Sequence, residues 1–228
     1  MERESIEYDV VVVGGGPSGL ASACKLKQLN PELSVCLLEK GSEIGSHIIS
    51  GAVFEPQTLF DLFPEEAKNC PTLKTSVVKD DLYWLANNNK SIKVPSWLMP
   101  KSLHNKGNYI ISLGELCQWI AERAMDLGVD IFPGFPAQQY LTDTNGRVIG
   151  IATGDMGIDK DGNQKGTYAP GMDILAKQTI FAEGARGHLG KKLIKEFGLD
   201  EGKTPQHFAI GFKEIWEVDN DKHSPGDV

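Results

Sequence analysis

The chain has 228 residues, of which 40% are hydrophobic and 24% are charged, as in an ordinary folded protein with one sizeable core. Its formal net charge of −8 argues against nucleic acid as a partner and against electrostatic attraction to anionic lipid. The sequence contains no apolar run of about eighteen residues, so no membrane-spanning helix is predicted.

The N-terminal residues MERESIEYD have neither the apolar centre of a signal peptide nor the Arg-rich composition of a transit peptide. The four cysteines are widely separated and include no C-x-x-C pair. Cys24 and Cys36 lie in apolar segments, which predicts buried thiols. A reducing compartment is consistent with this pattern.

A glycine turn follows the first predicted strand. The valines of residues 10–13 lead directly into Gly14, Gly16 and Gly19, which have the spacing G-x-G-x-x-G. In this pattern the first glycine allows a tight turn, the second admits a pyrophosphate to the backbone, and the third lets helix and strand pack closely. The alternative is a glycine-rich turn with a purely structural role.

The following segments complete a strand–helix–strand unit over residues 8–40. Residues 20–29 are predicted to form a helix whose first N–H groups face the phosphates, and residues 35–38 form the second strand. Glu39 follows Gly19 by twenty positions, where a carboxylate accepts hydrogen bonds from a ribose diol. The alternative for Glu39 is a solvated strand end.

A short helix is predicted over residues 56–63, beginning at Pro56 and ended by Pro64. Its neighbourhood is amphipathic rather than uniformly apolar. The helix either packs on the core of its own domain or lies in a lipid interface. The apolar side chains of this region are Val53, Phe54, Leu59, Phe60, Leu62 and Phe63.

The rest of the chain alternates strands and helices. Turns of the type Asn-Gly and Asp-Gly predict two hairpins, at Asn145-Gly146 and Asp161-Gly162. We predict an α/β fold with a doubly wound parallel sheet and an inserted antiparallel β-meander. The predicted strands are 75–78, 82–85, 91–94, 108–112, 129–132, 137–142, 148–154, 172–176, 177–182 and 208–218, and the predicted helices are 113–127 and 188–197.

Two features favour FAD over NAD. Pro17 follows the second glycine and gives the string GGGPSGL, which resembles flavoproteins. A second glycine-bearing strand end, IFAEGARG at residues 180–187, places another turn where a further part of a long cofactor can lie. By itself, Gly184 also fits an ordinary strand-to-helix turn.

Several longer strings carry a family resemblance. They include CLLEKGSEIGSHIISGAVFEP, GNYIISLGELCQWIAERAMDLGVDIFPGF and TIFAEGARGHLGKKL. From residue 8 to residue 218 the chain resembles electron transfer flavoprotein–ubiquinone oxidoreductase. The resemblance implies FAD, a quinone-binding domain and a four-iron four-sulfur cluster. The family's cluster ligands lie outside this chain, so the resemblance also implies an N-terminal fragment.

The resemblance implies a domain order and a set of contacts. The FAD-binding domain comprises residues 1–74 and 107–205, and the quinone-binding domain comprises residues 75–106 and 206–228. A membrane surface is implied to contact Phe54, Leu59, Phe60, Leu62 and Phe63. The implied FAD contacts are Gly14, Gly16, Pro17, Ser18 and Gly19 at the pyrophosphate, Glu39 and Lys40 at the adenosine ribose, Ala137 at the adenine, Ala182, Glu183 and Gly184 at the second turn, and Ser50, Gly51 and Ala52 near the isoalloxazine ring.

The implied reaction transfers electrons from reduced electron transfer flavoprotein to membrane ubiquinone, at the cytoplasmic face of a bacterial inner membrane. It needs no catalytic side chain, because the flavin carries the electrons. The histidines do not cluster at metal-ligand spacing, and His47 lies in the loop near the expected flavin. The alternatives are a geranylgeranyl-reductase-like or FixC-like flavin reductase, and a flavin-binding module without redox turnover.

Overall fold

The computed structural model describes residues 3–49 and 51–228, and only the backbone of Asn220. Ser50 therefore lies outside the described residues. Four 3₁₀ helices span Glu66–Asn69, Ser96–Leu98, Lys101–Leu103 and Asn220–Lys222. The strands and α-helices, in chain order, are β1 Ser5–Val13, α1 Pro17–Leu29, β2 Val35–Glu39, β3 Ala52–Phe54, α2 Gln57–Leu62, β4 Thr75–Ser76, β5 Leu82–Asn87, β6 Lys90–Val94, β7 Tyr109–Ile111, α3 Leu113–Asp126, β8 Val129–Pro133, β9 Ala137–Thr142, β10 Val148–Thr153, β11 Met156–Ile158, β12 Gln164–Ala169, β13 Asp173–Phe181 and α4 His188–Glu196.

The chain divides into two compact units. Unit 1 comprises Met1–Ile48 and Cys117–Ala209, and unit 2 comprises Ile49–Leu116 and Ile210–Val228. The predicted domains have different boundaries. Their assignment as FAD-binding and quinone-binding stays a prediction.

Unit 1 is built on a six-stranded sheet with the order β8-β2-β1-β13-β10-β9. The first four strands are parallel, whereas β10 and β9 are antiparallel to their neighbours. The predicted Rossmann-like α/β fold with antiparallel meander strands is confirmed. The meander continues the main sheet, because the segments predicted as strands 172–176 and 177–182 form one strand, β13, that pairs with both β1 and β10.

The four valines of β1 explain why this strand is central. Val10 to Val13 are at most 6% exposed, as expected for a strand covered on both faces. Helix α1 packs against β1, β2 and β8. One buried cluster of the sheet consists of Val11, Val13, Cys36, Leu38, Ile151 and Ile174.

Unit 2 contains the antiparallel sheet β3-β7-β4, the hairpin β5-β6 and helix α2. The predicted short helix is present, and it spans six residues between Pro56 and Phe63. The strand-like runs predicted over 82–85 and 91–94 pair with each other as β5 and β6.

The strand predicted over residues 208–218 is wrong. The whole segment has no regular secondary structure, and the side chains of Ile210, Phe212 and Ile215 are 87–97% exposed. A strand is stabilised by hydrogen bonds to a neighbouring strand. Within the described part of the chain, none pairs with this segment, so its apolar alternation does not produce a strand.

Candidate functional site

Gly14 lies where three parallel strands end together. Its N–H donates to the carbonyl of Leu38 on β2, at 2.8 Å, and the N–H of Ala182 after β13 donates to Val13, also at 2.8 Å. Gly14 has a φ of +112°, and a Cβ there would lie 2.5 Å from the Ala182 carbonyl oxygen. Only glycine fits this crossing of backbones.

Gly16 and Gly19 differ in what surrounds them. A Cβ on Gly19 would lie 2.0 Å from the carbonyl oxygen of Gly14, so this glycine lets α1 start directly above the turn. A Cβ on Gly16 would meet no atom within 4 Å. The space beside Gly16 is therefore open, at the position where a pyrophosphate is expected to approach the backbone.

The start of α1 has the features of an anion-binding end. Gly16 precedes the helix in an extended conformation, and because it is a glycine it has no side chain to cap the first N–H groups. Pro17 occupies the first helical position, and Pro17 and Ser18 are exposed. The first N–H groups of a helix have no intrahelical acceptor, and the helix dipole favours negative charge there. This end of the helix can hold a diphosphate.

Glu39 is fixed by the main chain on both of its oxygens. Its Oε2 accepts the N–H of Gly15 at 2.8 Å, and its Oε1 accepts the N–H of Gly41 at 2.7 Å. The side chain is 13% exposed. Each carboxylate oxygen accepts two hydrogen bonds, so the group retains capacity for the hydroxyls of a ribose.

His47 lies beside this carboxylate. Its Nδ1 is 3.7 Å from Glu39 Oε1. Behind the carboxylate, the buried thiol of Cys117 has its pKa raised to about 11, mainly by burial and further by the charge of Glu39. The sequence predicted His47 near the flavin, but it gave no sign of the contact with Glu39, because the turn at residues 43–48 creates it.

The second glycine turn positions Ala182, Glu183 and Gly184 differently. The backbone of Ala182 lies against Gly14, as described above. The carboxylate of Glu183 accepts the N–H groups of Leu189, at 3.1 Å, and Gly190, at 2.8 Å. Glu183 therefore caps the start of α4 and occupies the donors that an anion would need there.

The other predicted cofactor contacts lie at several places. Lys40 is exposed and follows Glu39 at the end of β2. Ala137 begins β9, close after a segment that the Glu39 carbonyl anchors by accepting the N–H of Phe135 at 3.1 Å. Gly51 and Ala52 belong to unit 2, where Gly51 has a φ of +84°.

The residues predicted to contact a membrane differ in how far their side chains are exposed to solvent. Leu59 and Phe63 are each 4% exposed and belong to the core of unit 2. Phe54, Phe60 and Leu62 are half-buried. Among the described residues of the range 49–116, the most exposed apolar side chains are Ile49, Val78, Trp84, Leu85, Trp97 and Leu98, with Ile92 half exposed.

Across residues 3–49 and 51–228, no group of three or more histidine, cysteine, aspartate or glutamate side chains could hold a metal ion. In the same described ranges, no helix combines the length and apolar character needed to cross a membrane.

Comparison with known proteins agrees with this geometry. A family model described as NAD(P)-binding Rossmann-like domain matches residues 12–65, which include the glycine turn and Glu39. The electron transfer flavoprotein-ubiquinone oxidoreductase of Pseudomonas aeruginosa is 55% identical over 99% of this chain. The mitochondrial protein of the same name from Arabidopsis thaliana is 47% identical, also over 99% of this chain.

Over nearly its whole length, the chain is similar to part of electron transfer flavoprotein-ubiquinone oxidoreductases. The chain spans 42% of the Pseudomonas protein and 36% of the Arabidopsis protein. Among solved structures, a geranylgeranyl bacteriochlorophyll reductase-like protein from Thermoplasma acidophilum has a TM-score of 0.57 at 22% identity. That match covers 82% of this chain and 42% of the other, and it supports the fold alone.

Proposed function

We propose that this chain forms the FAD-binding part of an oxidoreductase that accepts electrons from reduced electron transfer flavoprotein and passes them to membrane ubiquinone. The observation that most strongly supports this proposal is the 55% identity to a relative of that name over nearly the whole chain. The glycine turn and the fixed Glu39 carboxylate supply the matching site.

The residues present fit an adenine dinucleotide. The open space beside Gly16 and the uncapped start of α1 suit the diphosphate, and Glu39 suits the adenosine ribose. Pro17 and Ser18 are proposed to lie at the diphosphate, Lys40 beside the ribose, Ala137 at the adenine, and Ala182 to Gly184 at the second turn. Gly51 and Ala52 are proposed to approach the isoalloxazine ring. When bound, FAD supplies the electron-transfer chemistry, and the protein supplies position and charge.

The cysteines of this chain do not suit an iron–sulfur cluster. All four thiols are free and buried, and burial raises the pKa of Cys24 and Cys36 to about 12. Cluster ligands must lie together around the irons, and among the described residues no group of three or more histidine, cysteine, aspartate or glutamate side chains could hold a metal ion. We propose that the four-iron four-sulfur cluster is bound by residues outside this chain and that residues 75–106 and 206–228 contribute to a quinone-binding domain.

The full-length protein provides the test. Purified with FAD and supplied with reduced electron transfer flavoprotein, it is expected to reduce ubiquinone catalytically. Reduction of an isoprenoid double bond with no quinone reduction would favour the geranylgeranyl-reductase-like alternative. Bound FAD that accepts no electrons from electron transfer flavoprotein would indicate a flavin-binding module without turnover.

We also propose that the β5-β6 hairpin contacts the lipid. Trp84 and Leu85 are 69% and 76% exposed, and Trp97 follows the hairpin at 80%. Exposed apolar groups of this size mark interaction surfaces, and tryptophan favours the membrane interface. Phe54, Phe60 and Leu62 can add to this contact, whereas Leu59 and Phe63 are buried. The proposed location is the cytoplasmic face of a bacterial inner membrane.

The double substitution Trp84→Asp with Leu85→Asp should release the protein from membranes. Each large apolar side chain contributes about 1.5–3 kcal/mol on full burial, so losing two weakens membrane binding roughly 100-fold. Liposome flotation of the full-length protein measures the effect. Leu29→Asp with Leu199→Asp changes two exposed leucines of unit 1 by the same charge and should float normally. Equal flotation of the two double variants would exclude the hairpin as the contact.

A further inference from the structure

The pair formed by His47 and Glu39 joins a mostly exposed side chain to a mostly buried one. His47 is 58% exposed and Glu39 is 13% exposed, with 3.7 Å between Nδ1 and Oε1. The turn that carries His47 is closed by main-chain hydrogen bonds from Ser46 to Glu43 and from Ile48 to Gly45. The turn therefore places residue 47 beside the carboxylate, within reach of its imidazole.

The Glu39 carboxylate and the diphosphate of a bound dinucleotide would bring negative charges close together, and a nearby positive charge would stabilise both. The other partners of the Glu39 carboxylate are the neutral N–H groups of Gly15 and Gly41. A bound dinucleotide would bring a diphosphate to the neighbouring start of α1. Within the described residues, His47 is the only basic side chain at ion-pair distance from Glu39, and the contact is an ion pair when the imidazole is protonated. An imidazolium would offset a carboxylate that the bound nucleotide covers.

We propose that His47 is a positioning residue for the dinucleotide, whose protonated imidazole supplies the countercharge to Glu39, so that binding takes up a proton. This inference rests on the proposed FAD site. His47 acts through Glu39, and no contact between its ring and the cofactor is required.

The sign of the pH dependence follows from this arrangement. Besides His47, the Cys117 thiol of α3 interacts electrostatically with Glu39, and it stays neutral at physiological pH because burial raises its pKa. Imidazole is the side chain that changes charge between about pH 5 and pH 8. Because the complex favours the protonated form, affinity for FAD should be greatest at low pH and fall as pH rises.

Titration of the full-length apoprotein with FAD, followed by flavin fluorescence between pH 6 and pH 8.5, tests the proposal. The dissociation constant should rise roughly fivefold over this range, which corresponds to about 1 kcal/mol of added attraction between imidazolium and carboxylate when the nucleotide excludes water from the pair. His47→Gln should bind with the weaker, high-pH affinity throughout. His47→Arg, which keeps its charge, should bind tightly at every pH. His207→Gln, an exposed histidine elsewhere in unit 1, should titrate like the unaltered protein.

The possible results distinguish a failure of the His47 proposal from a failure of the proposed FAD site. If the unaltered protein binds no FAD at any pH, the FAD site itself is wrong. If it binds FAD with constant affinity, or if His47→Gln keeps the full pH dependence, FAD binding stands and the role of His47 is overturned. Thermal unfolding of each variant across the same pH range shows that the differences do not arise from loss of fold.

Discussion

Gly16→Val is expected to lower the affinity of the full-length protein for FAD by at least about 100-fold while leaving the fold intact. Gly16 has φ −81° and ψ 179°, an extended conformation that valine adopts readily. The added side chain would enter the open space beside the start of α1. Losing one or two charge-assisted hydrogen bonds from main-chain N–H groups, each contributing about 1.5–3 kcal/mol, accounts for an effect of this size.

Two measurements check this result together. Titration with FAD gives the affinity, and thermal unfolding of the apoprotein gives the stability. We expect the melting temperature of the apoprotein to be unchanged within about 2 °C, because the new side chain meets no protein atom within 4 Å of its Cβ position. An affinity within threefold of the unaltered protein would show that the diphosphate does not approach Gly16.

Gly19→Ala should act in the opposite way, by damaging the fold. The new methyl carbon would lie 2.0 Å from the Gly14 carbonyl oxygen, and that oxygen belongs to backbone that cannot move aside. Overpacking of this kind costs about 1–3 kcal/mol or more. For a domain of this size, a loss of about 3 kcal/mol corresponds to a fall in melting temperature of roughly 6–12 °C.

Gly190→Ala is the matched control. Gly190 occupies the third position of α4, just as Gly19 occupies the third position of α1. Its nearest neighbour to an added Cβ is Glu183 Oε2, at an ordinary 3.6 Å. Alanine is a better helix former than glycine by up to about 1 kcal/mol, so this variant should unfold at the same or a higher temperature. Equal destabilisation by both substitutions would contradict the packing role of Gly19.

The parts of the fold that depend on neighbouring residues could be predicted from sequence. The glycine turn, α1 and Glu39 follow one another within about thirty residues, and each is specified by local spacing or hydrophobicity. The structure has all three at the expected places. The hairpin turn at Asp161-Gly162 could be predicted for the same reason, whereas the short strands β11 and β12 that it joins are absent from the predicted strands.

The parts that depend on distant partners could not be predicted. Residues 208–218 have strand-like alternation, but a strand also needs a neighbour, and sequence pattern gives no information about one. The use of Glu183 as a helix cap and the contact of His47 with Glu39 depend on where turns direct side chains. The glycines and acids indicated the candidate site in the sequence. The different roles of Glu39, at the glycine turn, and of Glu183, as a helix cap, are seen only in the structure.

In the proposed FAD site, the way Glu39 is held also limits which nucleotides fit. Hydrogen bonds on both oxygens prevent the carboxylate from turning away. An adenosine that carries a phosphate on its 2′-oxygen, as in NADP, would place two like charges against each other at close range. The N–H groups of Gly15 and Gly41 orient the carboxylate toward an unmodified ribose. The same fixed carboxylate therefore disfavours a ribose that carries a 2′-phosphate.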